Sequence, residues 1–357
     1  MRKIERILKE LESLPEYRVS VLSREALRLD RNENFVISQE IVKAIIKRAL
    51  KDIDPRRYPE EEIELYTTLA EFLGVRKDEL VLGSGEDDII YKTSLAFLRN
   101  DGKAIVVVPT FEMYKWTIER VGGIVQEVLL NEDFSLNAQR VLEAYDDKTN
   151  LIFLCSPNNP TGNSMSEEAI RTILDNVECA VILDEAYYYF SNKSLINLLI
   201  EENYENLAIM RTFSKVGFAG IRLGYLVANK KIASIVRRFI MPYSINSLSL
   251  SIGLEIIKNF DLILDSIRDL IKERERLINE LRKFEKLLVY NSETNFVLVR
   301  LLEGSIKELI NQLTSKGVIV RDVSDYPLLA NCFRVAVGNT KMNDFFLQVL
   351  GEIMNQQ

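Results

Sequence analysis

The sequence predicts an α/β fold in which a mostly parallel central sheet is covered by helices and is followed by a smaller α+β domain. Four short apolar runs read as buried strands, at residues 104–108, 151–155, 180–184 and 207–211. The stretches between them are long enough for helices, and such alternation is typical of a parallel sheet. The pattern changes from about residue 253 onwards, and 357 residues exceed the size at which one hydrophobic core keeps growing.

The segment before the first of these strands predicts helices. Isoleucine and leucine recur at helical spacing within residues 1–14, which indicates an amphipathic helix with one apolar stripe. Residues 15–40 show no regular pattern, whereas residues 38–50 and 61–73 again predict helices. We expect the N-terminal stripe to pack on the small domain or on a partner subunit.

The C-terminal third predicts a second, smaller sheet, which follows a fifth apolar run at 225–228. Its elements in order are a long charged helix over 254–286, a strand at 295–300, a helix near 305–315, strands at 317–321 and 332–337, and a closing helix. We expect an N-terminal arm (1–34), a large domain (35–252) and a small C-terminal domain (253–357), joined by helix rather than by a loose linker.

The composition excludes several classes of protein. A net charge of −7 and a pI near 5.2 argue against a nucleic-acid-binding protein, which usually carries a basic excess. No run approaches the roughly 18 apolar residues of a transmembrane helix, so no membrane partner is expected. The three cysteines cannot form a disulfide framework, which indicates a reducing compartment and a cytoplasmic protein.

The sequence contains no histidine. This absence excludes Ser-His-Asp and Cys-His nucleophiles, histidine acid–base catalysis and nearly every zinc site, so no metal is expected. If the chain is an enzyme, its chemistry must come from lysine, tyrosine, carboxylates or a bound cofactor.

A glycine-bearing turn precedes the first helix of the alternating region. Ligands of parallel sheets bind beyond the carboxyl ends of the strands, so the residues after each strand are candidates. Gly83 and Gly85 let the backbone approach an anion at a helix N-terminus. The acidic residues 86–88 suit a helix start but would repel a phosphate, and an ordinary capped helix is the alternative.

Aromatic and asparagine residues follow the next strands. Phe111 and Tyr114 come after the run at 104–108, where they could stack on a planar ligand or pack in the core. Asn158 and Asn159 stand between two prolines. Such a rigid turn could aim an amide at a ligand oxygen, or it could be a plain turn.

The strongest candidates follow the last two parallel strands. Asp184 comes directly after a buried strand, where a carboxylate rarely lies without a charged or donor partner, although a helix cap is an equal interpretation. Ser214 and Lys215 precede several glycines and Arg222. A lysine in such an apolar, glycine-rich position is a candidate for Schiff-base chemistry, and a surface lysine on a loop is the alternative.

Taken together and in order, these motifs resemble the fold-type I family of pyridoxal-phosphate enzymes, and most closely its histidinol-phosphate aminotransferases. The resemblance runs from NEN at 32–34 and RYPE at 57–60 to CFRVAVG at 332–338, and the SPNNPTG, LDEAYYYF and RTFSK series is highly specific for the superfamily. It implies a pyridoxal 5′-phosphate cofactor and reversible transamination between L-histidinol phosphate and 2-oxoglutarate in histidine biosynthesis. The alternatives are an aromatic amino acid aminotransferase, a threonine-phosphate decarboxylase-like enzyme and a cofactor-binding regulator, the last of which the intact motifs argue against.

The resemblance implies a role for each residue around the cofactor ring. Lys215 binds the cofactor as a Schiff base, and its freed amine then moves the α-proton. Asp184 pairs with the ring nitrogen and keeps it protonated. Asn159 and Tyr187 hydrogen-bond the ring hydroxyl, and Phe111 stacks on the ring. Lys215, Asp184 and Tyr187 are thus the predicted catalytic residues.

The resemblance also implies a cup for the cofactor phosphate. Its members are backbone N–H groups at Gly85, Glu86 and Asp87, with the side chains of Ser214 and Arg222. The spacing from Lys215 to Arg222 is one residue shorter than is common in the family. Tyr58 matches a tyrosine that reaches the phosphate from the partner subunit, which implies a homodimer with composite sites.

Two arginines on adjacent predicted strands, thirteen residues apart, match substrate-binding positions of the family. Arg334 matches an arginine that grips an α-carboxylate, and Arg321 matches the arginine for the phosphate of histidinol phosphate. A guanidinium fork suits both anions, and a surface ion pair is the alternative. Tyr17 and Asn32 resemble further substrate-side positions.

Overall fold

The computed structural model describes residues 3–12, 26–60, 62–99 and 101–355. The strands within these ranges are β1 (Leu27–Arg28), β2 (Leu80–Gly83), β3 (Lys103–Val108), β4 (Ile124–Leu129), β5 (Thr149–Cys155), β6 (Ala180–Asp184), β7 (Leu207–Thr212), β8 (Gly224–Ala228), β9 (Leu287–Val289), β10 (Phe296–Leu301), β11 (Val318–Ile319), β12 (Arg321–Asp322) and β13 (Cys332–Ala336). The helices are α1 (Lys3–Leu11), α2 (Gln39–Ala49), α3 (Glu62–Leu73), α4 (Glu86–Phe97), α5 (Met113–Arg120), α6 (Ala138–Ala144), α7 (Glu167–Asn176), α8 (Tyr188–Ser191), α9 (Ile196–Ile200), α10 (Lys230–Arg237), α11 (Ser247–Lys258), α12 (Phe260–Leu281), α13 (Ile306–Ser315) and α14 (Thr340–Met354).

The central sheet has the strand order β2-β8-β7-β6-β5-β3-β4. Neighbouring strands are parallel from β4 across to β7, and β8 runs antiparallel to both β7 and β2. Both faces are covered: in β6, Ala180 and Ile182 belong to one apolar cluster, and Val181 and Leu183 belong to the other. The carboxyl ends of β2, β3, β5, β6 and β7 therefore lie along one edge of the sheet.

A smaller antiparallel sheet in the C-terminal third has the order β12-β13-β10-β9. The helix α12 packs against β9 and β10 and against α14. Arg321 of β12 lies directly opposite Arg334 of β13. The short strand β1 pairs in parallel with β11, so the segment that carries the NEN motif lies beside this second sheet.

The structure confirms the predicted fold class. The five apolar runs are strands of the central sheet, and the helices predicted over 38–50 and 61–73 are α2 and α3. The strands β2, β4 and β9 were not predicted, and β1 lies in a segment that was expected to be irregular. The charged segment 254–286 holds the end of α11 and all of α12 rather than one helix. The division into three parts stays a prediction, and its boundary at 252 lies inside α11.

Candidate active site

The carboxyl edge of the central sheet opens into a cavity of about 370 Å³, a size suited to a small-molecule ligand. Residues that follow β2, β3, β5, β6 and β7 form one side, and residues of β12, β13 and the NEN segment form the other. The predicted site residues on its wall are Asn32, Glu86, Asp87, Phe111, Asn159, Asp184, Tyr187, Ser214, Lys215, Arg222, Arg321 and Arg334.

Asp184, the last residue of β6, is buried and held by two donors. Its Oδ2 accepts the Tyr114 hydroxyl, and its Oδ1 accepts the backbone N–H of Ala186 at 2.8 Å. Burial raises the pKa of the Asp184 carboxyl, and these hydrogen bonds oppose the rise. A cationic group bound next to Asp184 would therefore stabilise the ionised carboxylate.

Glu86, the first residue of α4, brings a second carboxyl close to Asp184. Its side chain is 8% exposed, and its Oε1 has no hydrogen-bond partner among the described residues. Burial raises the pKa of Glu86 well above its ordinary value, and the negative charge of Asp184 raises it further. The two carboxyls thus mark a part of the cavity that favours a bound donor or cation.

Lys215 follows β7 in a tight turn over Ser214–Phe218. Gly217 in this turn has a φ of 111°, and a Cβ at this position would lie 2.7 Å from Ile37, so the turn requires glycine. The Lys215 Nζ lies 5.6 Å from the centre of the Tyr187 ring. The turn therefore directs the lysine into the cavity rather than out to the surface.

The turn before α4 and the start of β8 form a concave backbone surface. Gly85 is the N-cap of α4 with a φ of 89°, and no side chain caps the first turn of this helix. A Cβ on Gly224 would lie 2.8 Å from the backbone nitrogen of Glu86, so the close approach of the two segments depends on glycine. Uncapped N–H groups at a helix N-terminus form a binding site for an anion.

Arg222 reaches this surface in spite of its short spacing from Lys215. Its Nη2 donates to Asp87 at 2.8 Å, and a Cβ on Gly85 would lie 2.6 Å from the same nitrogen. The guanidinium therefore rests against the turn. Because Asp87 is paired with Arg222, its charge repels an anion in the cup less than a free carboxylate would.

The two asparagines of the SPNNPTG turn have different partners. The Asn158 side chain is buried, where it accepts the Thr110 hydroxyl at 2.9 Å and donates to the backbone oxygen of Pro109 at 2.8 Å. The Asn159 Oδ1 accepts Nη1 of Arg334 at 2.5 Å. Asn158 therefore fixes the turn, and Asn159 carries its amide to the cavity.

Tyr187 presents its hydroxyl to the cavity from a buried position. The hydroxyl accepts Nδ2 of Asn32 at 3.0 Å, and the ring packs edge-on against Phe296 at 5.2 Å. Burial raises the pKa of Tyr187, so its hydroxyl stays neutral and can donate to a ligand oxygen. The backbone oxygen of Asn32 accepts Asn295 at 2.8 Å, which ties the NEN segment to the smaller sheet.

Arg321 and Arg334 place two guanidinium groups side by side on the cavity wall. Arg334 is 8% exposed, donates to the backbone oxygen of Asp30 at 2.6 Å, and has an Nε without a partner among the described residues. Burial lowers the pKa of Arg334, and the nearby charge of Arg321 also lowers it. Like charges directly opposite on paired strands destabilise a sheet, so a bound anion would stabilise this arrangement.

The pyridoxal phosphate that the resemblance implies fits these groups. A protonated ring nitrogen would provide a positive charge beside Asp184 and Glu86, whose ionised forms are disfavoured by burial. The uncapped start of α4 and the Arg222 guanidinium suit the phosphate. The Lys215 Nζ lies in the same cavity and can reach an aldehyde carbon there.

Among the described residues, Gly85 and Tyr58 are the predicted site residues that do not line the cavity, and Gly85 lies next to it as the N-cap of α4. Tyr58 is 74% exposed and stacks on Tyr243 with ring centres 4.5 Å apart, outside the cavity. Its role in the partner subunit stays a prediction. Tyr17 lies outside the described residues.

Two residues that hold others in place were not assigned to the site from the sequence. Tyr114 was expected to stack on a ligand or in the core; it stacks on Phe153 at 4.8 Å, and its hydroxyl holds Asp184. Its position in the first turn of α5, the helix that follows β3, could have identified it as a site residue. Glu112 pairs with Arg321 at 2.7 Å, and no local pattern links residues 209 positions apart.

The described part of the chain also bears on membrane spans, metal clusters and disulfides. None of its helices is both long and apolar enough to cross a bilayer. It holds no group of three or more acidic or cysteine side chains arranged for a metal ion. Cys155, Cys179 and Cys332 are free and buried.

Sequence comparisons identify relatives along most of the chain. The model of the family described as aminotransferase class I and II matches residues 22–350. A histidinol-phosphate aminotransferase from Pyrococcus furiosus is 38% identical over 331 residues, which are 92% of each chain. One from Ruminiclostridium cellulolyticum is 34% identical over 331 residues, which are 91% of each chain.

Solved structures agree with the sequence comparisons. The histidinol-phosphate aminotransferase of Clostridium acetobutylicum matches with a TM-score of 0.84 at 26% identity, over 92% of this chain and 99% of its own. The enzyme of that name from Sinorhizobium meliloti, solved with pyridoxal-5′-phosphate, shares the fold with a TM-score of 0.87 at 22% identity, over 97% of this chain and 96% of its own. The chain belongs to the class I and II aminotransferases, which depend on pyridoxal phosphate.

Proposed function

We propose that this enzyme transfers an amino group between L-histidinol phosphate and 2-oxoglutarate, with imidazole-acetol phosphate and L-glutamate as products, in cytoplasmic histidine biosynthesis. The observation that supports this substrate pair is the placement of Arg321 and Arg334 opposite each other on the wall of the cavity that holds Lys215. Relatives that are 34% and 38% identical are named for this activity.

Asp184 and its neighbours prepare the cofactor ring. When bound, pyridoxal phosphate supplies an electron-poor ring that stabilises the negative charge left on the substrate α-carbon when its proton is removed. Asp184 holds a proton on the ring nitrogen, because the buried carboxylate and the ring cation stabilise each other. The Tyr114 hydroxyl keeps the carboxylate in position. Asn159 and Tyr187 would hold the ring through its hydroxyl, and Phe111 would stack on it.

Lys215 first holds the cofactor and then moves a proton. Once a substrate amine is bound in its place, its Nζ would be free to act as the base that takes the proton from the substrate α-carbon and passes it on. The chain has no histidine that could do this. A positioned base of this kind contributes roughly 10²–10⁴-fold to the rate.

The two arginines let one cavity accept two different substrates in turn. Histidinol phosphate carries a phosphate but no carboxylate, and glutamate carries two carboxylates but no phosphate. Arg321 binds the far anion, which is either the phosphate or the side-chain carboxylate. Arg334 binds the α-carboxylate of glutamate and lies next to the hydroxymethyl group of histidinol phosphate.

Exchange of each arginine for glutamine separates the two half-reactions. Arg321→Gln is expected to slow both half-reactions, and to slow the one with histidinol phosphate more. Arg334→Gln is expected to slow the glutamate half-reaction by a factor at least about tenfold larger than for the histidinol phosphate half-reaction. The reason is that loss of one partner of a desolvated charge pair costs about 2–5 kcal/mol. Single-turnover absorbance changes with each amino donor measure both effects. Equal losses in Arg334→Gln contradict this division, and an unaffected Arg321→Gln enzyme contradicts the proposed substrate.

We also propose that the enzyme is a homodimer in which Tyr58 binds the cofactor phosphate of the partner's site. Tyr58 and its stacking partner Tyr243 are exposed in the single chain, as are the neighbouring apolar side chains of Ile63 and Met241. Exposed apolar groups close together are typical of a protein interface. Ile4 and Leu8 of α1 are also exposed, which suits an N-terminal arm that packs on a partner.

Mixed dimers test the composite site. Tyr58→Ala is expected to weaken cofactor binding, and Lys215→Arg is expected to abolish turnover. A dimer of one subunit of each kind has one site with both native residues, so it should regain about half of the wild-type turnover. Tagging each subunit differently allows the mixed dimer to be isolated and assayed. A mixed dimer no more active than its two parents would place Tyr58 outside the partner's site.

A further inference from the structure

Glu112 places a carboxylate on the cavity wall next to the proposed phosphate anchor. It follows Phe111 and is the N-cap residue of α5, but its side chain does not cap that helix. Its Oε1 accepts Nη2 of Arg321 at 2.7 Å, and its Oε2 accepts the Tyr326 hydroxyl at 3.2 Å. Burial raises the pKa of Tyr326 to about 12, so this hydroxyl remains a donor.

If this end of the cavity bound only anions, a carboxylate in this place would weaken their binding. Its negative charge repels a phosphate or carboxylate that approaches Arg321, and it occupies part of the guanidinium fork. A neutral acceptor could position Arg321 without this repulsion. The acidic side chain therefore indicates that the ligand brings a hydrogen-bond donor to this end of the cavity.

We propose that Glu112 accepts the imidazole N–H of the substrate and so determines specificity for a side-chain ring that carries a donor; this inference rests on the proposed function. Histidinol phosphate branches at its α-carbon into a phosphate arm and an imidazole arm, so the ring of a substrate whose phosphate binds Arg321 can reach the neighbouring Glu112. A carboxylate has about four acceptor positions, so Glu112 can accept from a ligand in addition to its protein partners. Imidazole donates through at least one ring nitrogen.

Two other carboxylates on the wall, Asp30 and Asp87, are held by partners away from Arg321. Asp30 accepts both Nε and Nη2 of Arg28, at 2.9 and 2.7 Å. Asp87 is paired with Arg222 beside the phosphate cup. Glu112 contacts Arg321 directly and is thus placed to bind a ring next to the phosphate anchor.

The test compares two substrates that differ only in their ring. L-Histidinol phosphate and L-phenylalaninol phosphate share the amine and the phosphate arm, but the phenyl ring has no N–H. Single-turnover rates with the cofactor-loaded enzyme give the preference of wild type, Glu112→Met and Glu112→Gln. Glu112→Met is expected to lower the preference for histidinol phosphate at least about tenfold, because the ring N–H loses its acceptor. Glu112→Gln keeps an acceptor oxygen and is expected to retain more of the preference.

A matched control and two contrary outcomes decide the interpretation. Glu127→Gln removes a carboxylate that pairs with Lys115 of α5 at 2.9 Å outside the cavity, and it should leave the preference unchanged. If Glu112→Met slows both phosphorylated substrates by the same factor, Glu112 acts only through Arg321 and the inference is wrong, while the proposed function stands. A wild-type enzyme that does not convert histidinol phosphate overturns the proposed function and the inference together.

Discussion

Lys215→Arg is expected to lose at least about 10⁴-fold in turnover while the fold is retained. Arginine keeps the positive charge in the cavity, but its guanidinium does not deprotonate, so it can neither bind the cofactor as a Schiff base nor accept a proton. The expected loss combines the base and the covalent anchor. Steady-state turnover measures the effect, and unfolding curves verify that the variant is folded.

Covalent labelling checks the same residue without reference to turnover. Borohydride reduction of the wild-type holoenzyme is expected to fix the cofactor on Lys215, and Lys215→Arg should take no label. Lys193→Arg is the matched control, because Lys193 is an exposed lysine paired with Glu293 at 2.6 Å. A label on another lysine, or none at all in wild type, would remove Lys215 from its assigned role.

Asp184→Asn is expected to fold normally and to lose roughly 10³-fold or more in turnover, which corresponds to about 4 kcal/mol of barrier. The amide nearly preserves the shape and the hydrogen bond from Tyr114, but it cannot stabilise the proton on the ring nitrogen. The ring then withdraws electron density from the substrate less strongly. Single-turnover rates and the absorbance spectrum of the bound cofactor, which reports the protonation of its ring, measure the change.

The control for this variant is Asp269→Asn, which removes an exposed carboxylate of α12 that pairs with Lys272 at 2.8 Å. Surface substitutions of this kind change stability by less than about 0.5 kcal/mol, so this variant should match the wild type. Near-wild-type turnover in Asp184→Asn would exclude Asp184 from the mechanism.

The sequence predicted the central strands and the edge at which the site residues gather, because both follow from local patterns. Buried strands such as β5 and β6 are continuous apolar runs; Asp184 ends one such strand, and Lys215 follows another. The strand β4 was not predicted because it lies at the edge of the sheet and most of its residues are partly or fully exposed. The strand β2 is buried, but with four residues it is too short to stand out.

Partnerships between distant residues could not be predicted. Arg334 bonds to Asn159 across 175 residues, and Arg321 pairs with Glu112 across 209. These contacts depend on how the second sheet packs over the carboxyl edge of the first, which no local pattern encodes. The direction of a side chain within a turn is equally inaccessible, since Asn158 and Asn159 are adjacent and only the second reaches the cavity.

The choice of substrate is the central claim, and single-turnover absorbance of the cofactor-loaded enzyme tests it most directly. The enzyme is mixed separately with L-histidinol phosphate, L-phenylalanine and L-threonine phosphate, and the conversion of the Lys215-bound cofactor to its amine form is followed. We predict that histidinol phosphate converts it fully and at least about tenfold faster than either competitor, because it alone among the three presents both the phosphate for Arg321 and an imidazole ring. Faster conversion by phenylalanine, or loss of carbon dioxide from threonine phosphate without conversion by histidinol phosphate, would contradict the proposed function.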